Sequence, residues 1–200
     1  MLLILSLICS STAFAADESA TQAVIHTTAG DIHLVLFPKT APATVANFVK
    51  LAKTKFFDGT SFHRVVPGFV IQGGDPNTKV GGNGPVGAGT QVDAAGKPLL
   101  IKAEVGASNP EKHTPGTLAM ARGPDLDSAS CQFYITLAAT PNLDGQYTVF
   151  GRVVGDADMA VVTKVKADDR MTVEIVEAGK KADAGAPAKP DAPVKEAPAK

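Results

Sequence analysis

Residues 57–75 read FDGTSFHRVVPGFVIQGGD, and residues 116–137 read GTLAMARGPDLDSASCQFYITL. The first stretch places Arg64, Phe69 and Gln72 on short alternating segments. The second adds Gln132 and Tyr134. Together they describe a groove with apolar walls, one guanidinium and two amides. Neither stretch holds an activated nucleophile, but rotation about an X–Pro peptide bond needs none. That rotation must break amide resonance, at a cost of about 18–20 kcal/mol. In the twisted transition state the proline nitrogen becomes pyramidal and regains a lone pair. A donor aimed at that nitrogen stabilises the twisted form more than either planar form. Arginine suits the task, being always protonated, donor-only and fork-shaped. Arg64 is the candidate. A lone arginine is more often half of a surface ion pair; the apolar block around this one favours catalysis.

Alternation along strands assigns the faces. In CQFYITL, Cys131, Phe133, Ile135 and Leu137 share one face and should fill a core. Gln132, Tyr134 and Thr136 share the other, which suits a wet groove. By the same rule Arg64 points away from His63, which is expected to be a hydrogen-bonded core histidine rather than a base or metal ligand. Gln72 and Gln132 can bond a peptide backbone on either side of a proline.

The run from Phe57 to Gly73 resembles the signature of the cyclophilin-type peptidyl-prolyl isomerases. GTLAMAR, SCQFYITL and LDGQYTVFGRV resemble later cyclophilin segments, in the family's order. The likeness spans about Gln22 to Ala178. It implies that Arg64 is the catalytic arginine and that Phe69, Val70, Tyr134 and Leu143 line the proline socket. It also implies that Ala121 and Arg122 offer backbone to an extended peptide, as an added strand would. Asn142 stands where many members have tryptophan, Tyr147 where many have histidine, and Tyr134 replaces a phenylalanine. The missing indole beside Leu143 implies weak cyclosporin binding.

The elements that must position these residues are mostly short strands. Residues 23–28 and 32–37 flank Ala29-Gly30-Asp31, a hairpin signal. Thr40 is expected to cap a helix from Pro42, with Val45, Phe48, Val49 and Ala52 at helical spacing. Strands are expected at 62–66, 69–72, 99–104, 116–121, 132–137, 148–153 and 171–176. A long Gly-rich loop covers 76–98, and a second helix starts at Asp156 with Met159, Val162 and Val165 on one face. Many short strands with two helices argue an all-β fold. The resemblance sharpens this to a closed eight-stranded antiparallel barrel capped by two α-helices.

The chain has 200 residues, a net charge of −1 and no basic stripe, so phosphate-directed nucleic-acid binding is not indicated. Residues 1–15, MLLILSLICSSTAFA, read as an export signal: Leu2 to Cys9 is apolar and Ala13-Phe14-Ala15 fits small-x-small cleavage. The apolar core is far below the roughly 20 residues that span a bilayer. The expected destination is the periplasm, and no stable membrane insertion is expected. Cleavage would leave Cys131 as the one cysteine, tolerable in an oxidising compartment if buried. The isomerase domain is expected over 22–178. Residues 179–200, rich in Ala, Pro and Lys without aromatics, lack the apolar area to offset ordering and are expected to be disordered.

The expected activity is isomerisation of unfolded or extended proline-containing polypeptides by a monomer, with no cofactor or metal. Alternatives are a chaperone that binds Pro segments with little turnover and a scaffold recruited through its tail. Gly82 to Gly87 spells G-x-G-x-x-G, but Pro85 interrupts it and no helix follows. The four histidines show no metal-ligand spacing.

Overall fold

The computed structural model describes residues 21–176. The expected signal segment and tail lie outside these residues, as do 177–178 of the expected domain. The described chain runs β1 (Gln22–Thr27), β2 (Gly30–Leu36), α1 (Pro42–Lys53), β3 (Thr60–Ser61), β4 (Arg64–Val66), β5 (Val70–Gly73), β6 (Thr117–Met120), β7 (Phe133–Thr136), β8 (Val149–Val153), α2 (Asp156–Val162) and β9 (Arg170–Val176). The nine strands form one antiparallel sheet in the order β3-β9-β1-β2-β8-β6-β7-β5-β4. The two edge strands, β3 and β4, are joined by only Phe62 and His63. The sheet must therefore curl so that a two-residue link can reach from one edge strand to the other. This corrects the closed eight-stranded barrel: nine strands form a curled half-barrel, and two residues of chain link its edges where a ladder was expected.

The same link explains why no single strand covers 62–66. β3 pairs with β9, whereas β4 pairs with β5. Phe62 exchanges backbone hydrogen bonds with Asp168 and Asp169. Its side chain is fully buried. The chain thus passes from one sheet edge to the other at Phe62, and its ladder partners change there.

The hollow of the sheet is filled by phenylalanines. The Phe133 ring meets Phe48 of α1 at 5.6 Å, Phe57 at 5.6 Å and Phe62 at 6.4 Å, each edge-on. Edge-to-face pairs of this kind add to the area they bury. Helix α1 brings Val45, Phe48 and Ala52 to this core, as their spacing predicts; Val49 is only partly buried against it, and Leu51, not among the expected residues, is buried there too.

Two local expectations fail for one reason. Thr40 does not cap α1; the cap position is Ala41, with no side-chain bond of its own. Instead the Glu104 carboxylate accepts from the N–H groups of Ala43 and Thr44, both at 2.9 Å. The segment 99–104 is not a strand and contributes a single bridge, Ile101 to Ala129. It is pinned by side chains: Ala103 N–H donates to Asp127 and Glu104 N–H donates to Thr148. A segment that crosses between α1, the 125–129 turn and β8 serves as a brace and has no neighbouring strand to pair with. Its carboxylate supplies both the acceptors and the negative charge that a helix N-terminus favours.

Glu104→Ala is expected to cost about 1–2 kcal/mol, the value of a lost helix cap. Thermal melting should show a fall of a few degrees, whereas Thr40→Ala should leave the midpoint close to wild type.

Candidate active site

Register across the sheet builds the site. Arg64 of β4 faces Gln72 of β5, Gln72 faces Tyr134 of β7, and Tyr134 faces Ala119 of β6. Directly paired residues in an antiparallel sheet project to the same side. These four therefore form one row on the face opposite the phenylalanine core. The next row on that face pairs Val66, Val70 and Thr136. The alternate row, Val65, Ile71, Ile135 and Leu118, packs in the core.

On the site face a second, smaller apolar cluster forms. Val70, Ala119, Tyr134 and Val149 are buried, with Phe37, Phe69, Ala121, Leu143 and Tyr147 packed against them. This brings together the Phe69, Val70, Tyr134 and Leu143 expected to line a socket, adding Phe37, Ala119 and Val149, which sequence reasoning missed. Leu143 arrives on a short 3-10 turn, Pro141–Leu143. Asn142 on the same turn is exposed.

Arg64 is exposed beside this cluster, its guanidinium carbon 5.8 Å from the Phe69 ring centre. The other three arginines spend donors internally. Arg122 donates to the carbonyls of Gln146, Gly123 and Pro124, and Arg152 pairs with Glu111. Arg170 donates to the Gly59 carbonyl. Among the described residues no such bond holds the Arg64 guanidinium, which lies against the Phe69 ring at the edge of the apolar cluster. Arg122 also stacks on Tyr147 at 4.6 Å and walls one side of the cluster.

The two glutamines are coupled. Gln72 Nε2 donates to Gln132 Oε1 at 3.0 Å, and Gln132 Nε2 donates to the carbonyls of Gly87 and Gly89. The Gly-rich loop is held in reach by Asp75, a fully buried carboxylate that accepts from the N–H groups of Asn77 and Gly87. A cavity of about 400 Å³ opens beside the glutamines, bounded by Ala121, Arg122, Ser130 and the 87–90 loop. Asp75 went unnoticed in the sequence because its partners lie up to 14 residues away and act through backbone.

Residues 23–184 match the family model described as cyclophilin type peptidyl-prolyl cis-trans isomerase/CLD. The chain is a cyclophilin-type peptidyl-prolyl cis-trans isomerase. Among its relatives, the peptidyl-prolyl cis-trans isomerase of Helicobacter pylori strain J99 is 42% identical over 147 residues, covering 74% of this chain and 82% of that one. That of Synechococcus elongatus is 40% identical over 157 residues, covering 78% and 97%. A crystal structure of a Cryptosporidium parvum cyclophilin-type isomerase, obtained in the presence of the dipeptide Ala-Pro, superposes with a TM-score of 0.64 at 26% identity, covering 78% of this chain and 99% of that chain.

In this cyclophilin the face expected to be wet is partly dry. Gln132 is half-buried, but Tyr134 is 5% exposed and Thr136 is fully buried. The Thr136 hydroxyl is taken up by the Thr114 carbonyl. The Tyr134 hydroxyl meets His113 Nε2 at 2.9 Å, and His113 Nδ1 meets Asp144 at 3.0 Å. Burial pushes the Tyr134 phenol well above its ordinary value and the Cys131 thiol up to about 12. Cys131 is therefore an inert core thiol. His63, expected to be a hydrogen-bonded core histidine, is only half-buried, and neither ring nitrogen has a hydrogen-bond partner among the described residues.

Burial holds both His63 and His113 below the ordinary histidine value of 6.5; nearby Asp75 and Asp144 respectively oppose this only in part. Both rings are thus neutral in the folded protein where the unfolded chain already takes up protons. The unfolded state binds more protons as pH drops through 6.5, so stability must fall there. The melting temperature is expected to be lower at about pH 5.5 than at about pH 7.5, where both histidines are neutral in either state. Replacing both histidines by glutamine should flatten that dependence in the same melting experiment.

Proposed function

We propose that this cyclophilin turns X–Pro bonds in unfolded or extended polypeptides during the folding of exported proteins, with Arg64 as the catalytic group. The observation that carries the role is the unspent guanidinium beside an apolar cluster. A proline ring in the socket of Phe69, Val70, Tyr134 and Leu143 would bring its nitrogen toward Arg64. The fork then donates to the lone pair that appears only in the twisted state, which is differential binding. Gln72, in the same row, is placed to hold the carbonyl side of the peptide. Gln132 and the 121–122 backbone border the cavity where the preceding residues would lie. No proton is transferred, so no general acid or base is required. The Cryptosporidium parvum isomerase crystallised in the presence of Ala-Pro supports a proline-containing occupant.

The export reading rests on the apolar Leu2–Cys9 run and the Ala13-Phe14-Ala15 site. Periplasmic residence follows from the same segment, and a monomer is the assembly proposed. A Pro-binding chaperone with little turnover would use the same socket; the free guanidinium favours turnover.

Arg64→Ala is expected to lower kcat/KM by about two to three orders of magnitude, the scale of losing one preorganised transition-state donor. Arg64→Lys should fail similarly, because an ammonium lacks the planar fork. A protease-coupled assay on a short X–Pro peptide reads both, and wild-type rates in the alanine variant would overturn the mechanism. For export, mass spectrometry of the extracytoplasmic protein should show a chain that begins after Ala15; an intact Met1 would overturn that reading.

A further inference from the structure

A tyrosine in a proline socket poses a physical problem. Its ring is a good apolar wall, but its hydroxyl, left without a partner among apolar side chains, would cost about 1–3 kcal/mol. Here the hydroxyl is disposed of behind the socket. It meets His113 Nε2 at 2.9 Å, and the His113 side chain is fully buried. The two rings lie nearly parallel, 15° apart with centres at 6.0 Å. His113 is itself clamped by one carboxylate: Asp144 Oδ1 accepts from the His113 backbone N–H at 2.8 Å and lies 3.0 Å from Nδ1. The His113 carbonyl in turn accepts from Thr140 N–H at 2.9 Å. Thr140 and Asp144 bracket the turn that carries Leu143.

The chemistry of these contacts settles the proton positions. A carboxylate only accepts, so Nδ1 carries the proton and donates to Asp144. Nε2 of the neutral ring is then an acceptor, and the Tyr134 hydroxyl donates to it. The chain Tyr134–His113–Asp144 therefore joins one wall of the socket, on β7, to the turn that supplies another.

We propose that His113 and Asp144 are positioning residues for the proline socket: they draw the Tyr134 hydroxyl away from the substrate and fix Leu143 against the Tyr134 ring. The proposal rests on the socket assignment made above. Its consequence falls on binding. With the clamp gone, the Leu143 turn must be ordered when substrate arrives, and the free hydroxyl competes for the apolar site. Ground state and transition state suffer alike, because Arg64 is held by the β4–β5 pairing that the clamp does not touch. KM then rises while kcat holds.

The clamp also has an acid limit. When His113 takes a proton, Nε2 becomes a donor and the Tyr134 hydroxyl must turn its hydrogen elsewhere. The charged or titratable groups facing the clamp are Asp144 and Lys112 at His113, with Tyr147 and Arg122 at Tyr134. Burial holds the His113 ring below 6.5, so it stays neutral and the clamp stays intact where a free histidine already takes up a proton.

The test is steady-state kinetics on a short X–Pro peptide, with folding checked by thermal melting. His113→Leu should raise KM about tenfold, the equivalent of one orphaned buried hydroxyl, with kcat within about twofold. Adding Tyr134→Phe should recover most of that loss, because no hydroxyl remains to be orphaned. His113→Gln, whose side-chain carbonyl can still accept from the hydroxyl, should keep KM within about threefold of wild type. The clamp is overturned by an unchanged KM in His113→Leu, by a kcat loss in its place, or by a loss that Tyr134→Phe fails to recover. Should His113→Leu not fold, Asp144→Ala decides: it removes the acceptor of both the His113 backbone N–H and Nδ1, and an unchanged KM there overturns the clamp. Arg64→Ala runs alongside. If it is inactive while the His113 variants behave as wild type, the clamp alone fails; if it retains wild-type rates, the socket assignment fails and the clamp with it.

Discussion

The side-on packing of Phe48, Phe57 and Phe62 against Phe133 is the contact on which the site depends. It fixes β7 in depth and in rotation. Because a strand alternates strictly, burying Phe133 and Ile135 on one side commits Gln132 and Tyr134 to the other. The ladders then carry that choice sideways, through Gln72 to Arg64 and through Ala119 to Val149. A slip of one residue in β7 would exchange the two faces, placing a glutamine and a phenol among phenylalanines. The cost of burying those polar groups without partners is what excludes the alternative.

Around this rigid row the site is finished by loops, and three carboxylates that reach backbone N–H groups tie segments of it in place. Asp75 holds the 87–89 segment that receives Gln132. Glu104 holds the start of α1, and Asp144 holds His113. The pattern suits a fold whose strands are only two to seven residues long. Short strands leave much irregular backbone, and every buried N–H in it needs an acceptor. Ionised carboxylates make the stronger of such bonds and fix loops without a ladder. Catalysis by Arg64 would draw on the resulting rigidity, since a single arginine donor is effective only if the proline is presented to it in one orientation.

The fold and the family were largely legible in the chain. The period-two pattern of the strands, the spacing of Val45, Phe48 and Ala52 on α1 and the Gly30 hairpin are local properties, and they appear where local physics puts them. The ordered motifs around Arg64, Gln132 and Tyr134 led to the family that the comparisons show. The faces of β7 followed from alternation alone. What local reasoning got wrong were matters of partner choice. It gave the cap of α1 to the nearest hydroxyl, Thr40, when a carboxylate 61 residues from Ala43 takes it. It read 99–104 as a strand from composition, although no neighbour is there to pair with it. It expected Tyr134 to be wet, because a phenol is polar; tertiary packing instead supplied a buried histidine.

Residue types and their alternation thus determined by themselves which side chains could do chemistry and which side of a strand each would occupy. Those depend on covalent geometry and on the period of the pleat. Which arginine keeps its guanidinium free, whether a phenol is wet or dry, and what holds each loop were decided only when distant segments met. Hydrogen bonding and desolvation are settled between groups far apart in the chain, such as Tyr134, 21 residues from His113, and Asp144, 31 residues from it. No local pattern encodes a partner at that separation.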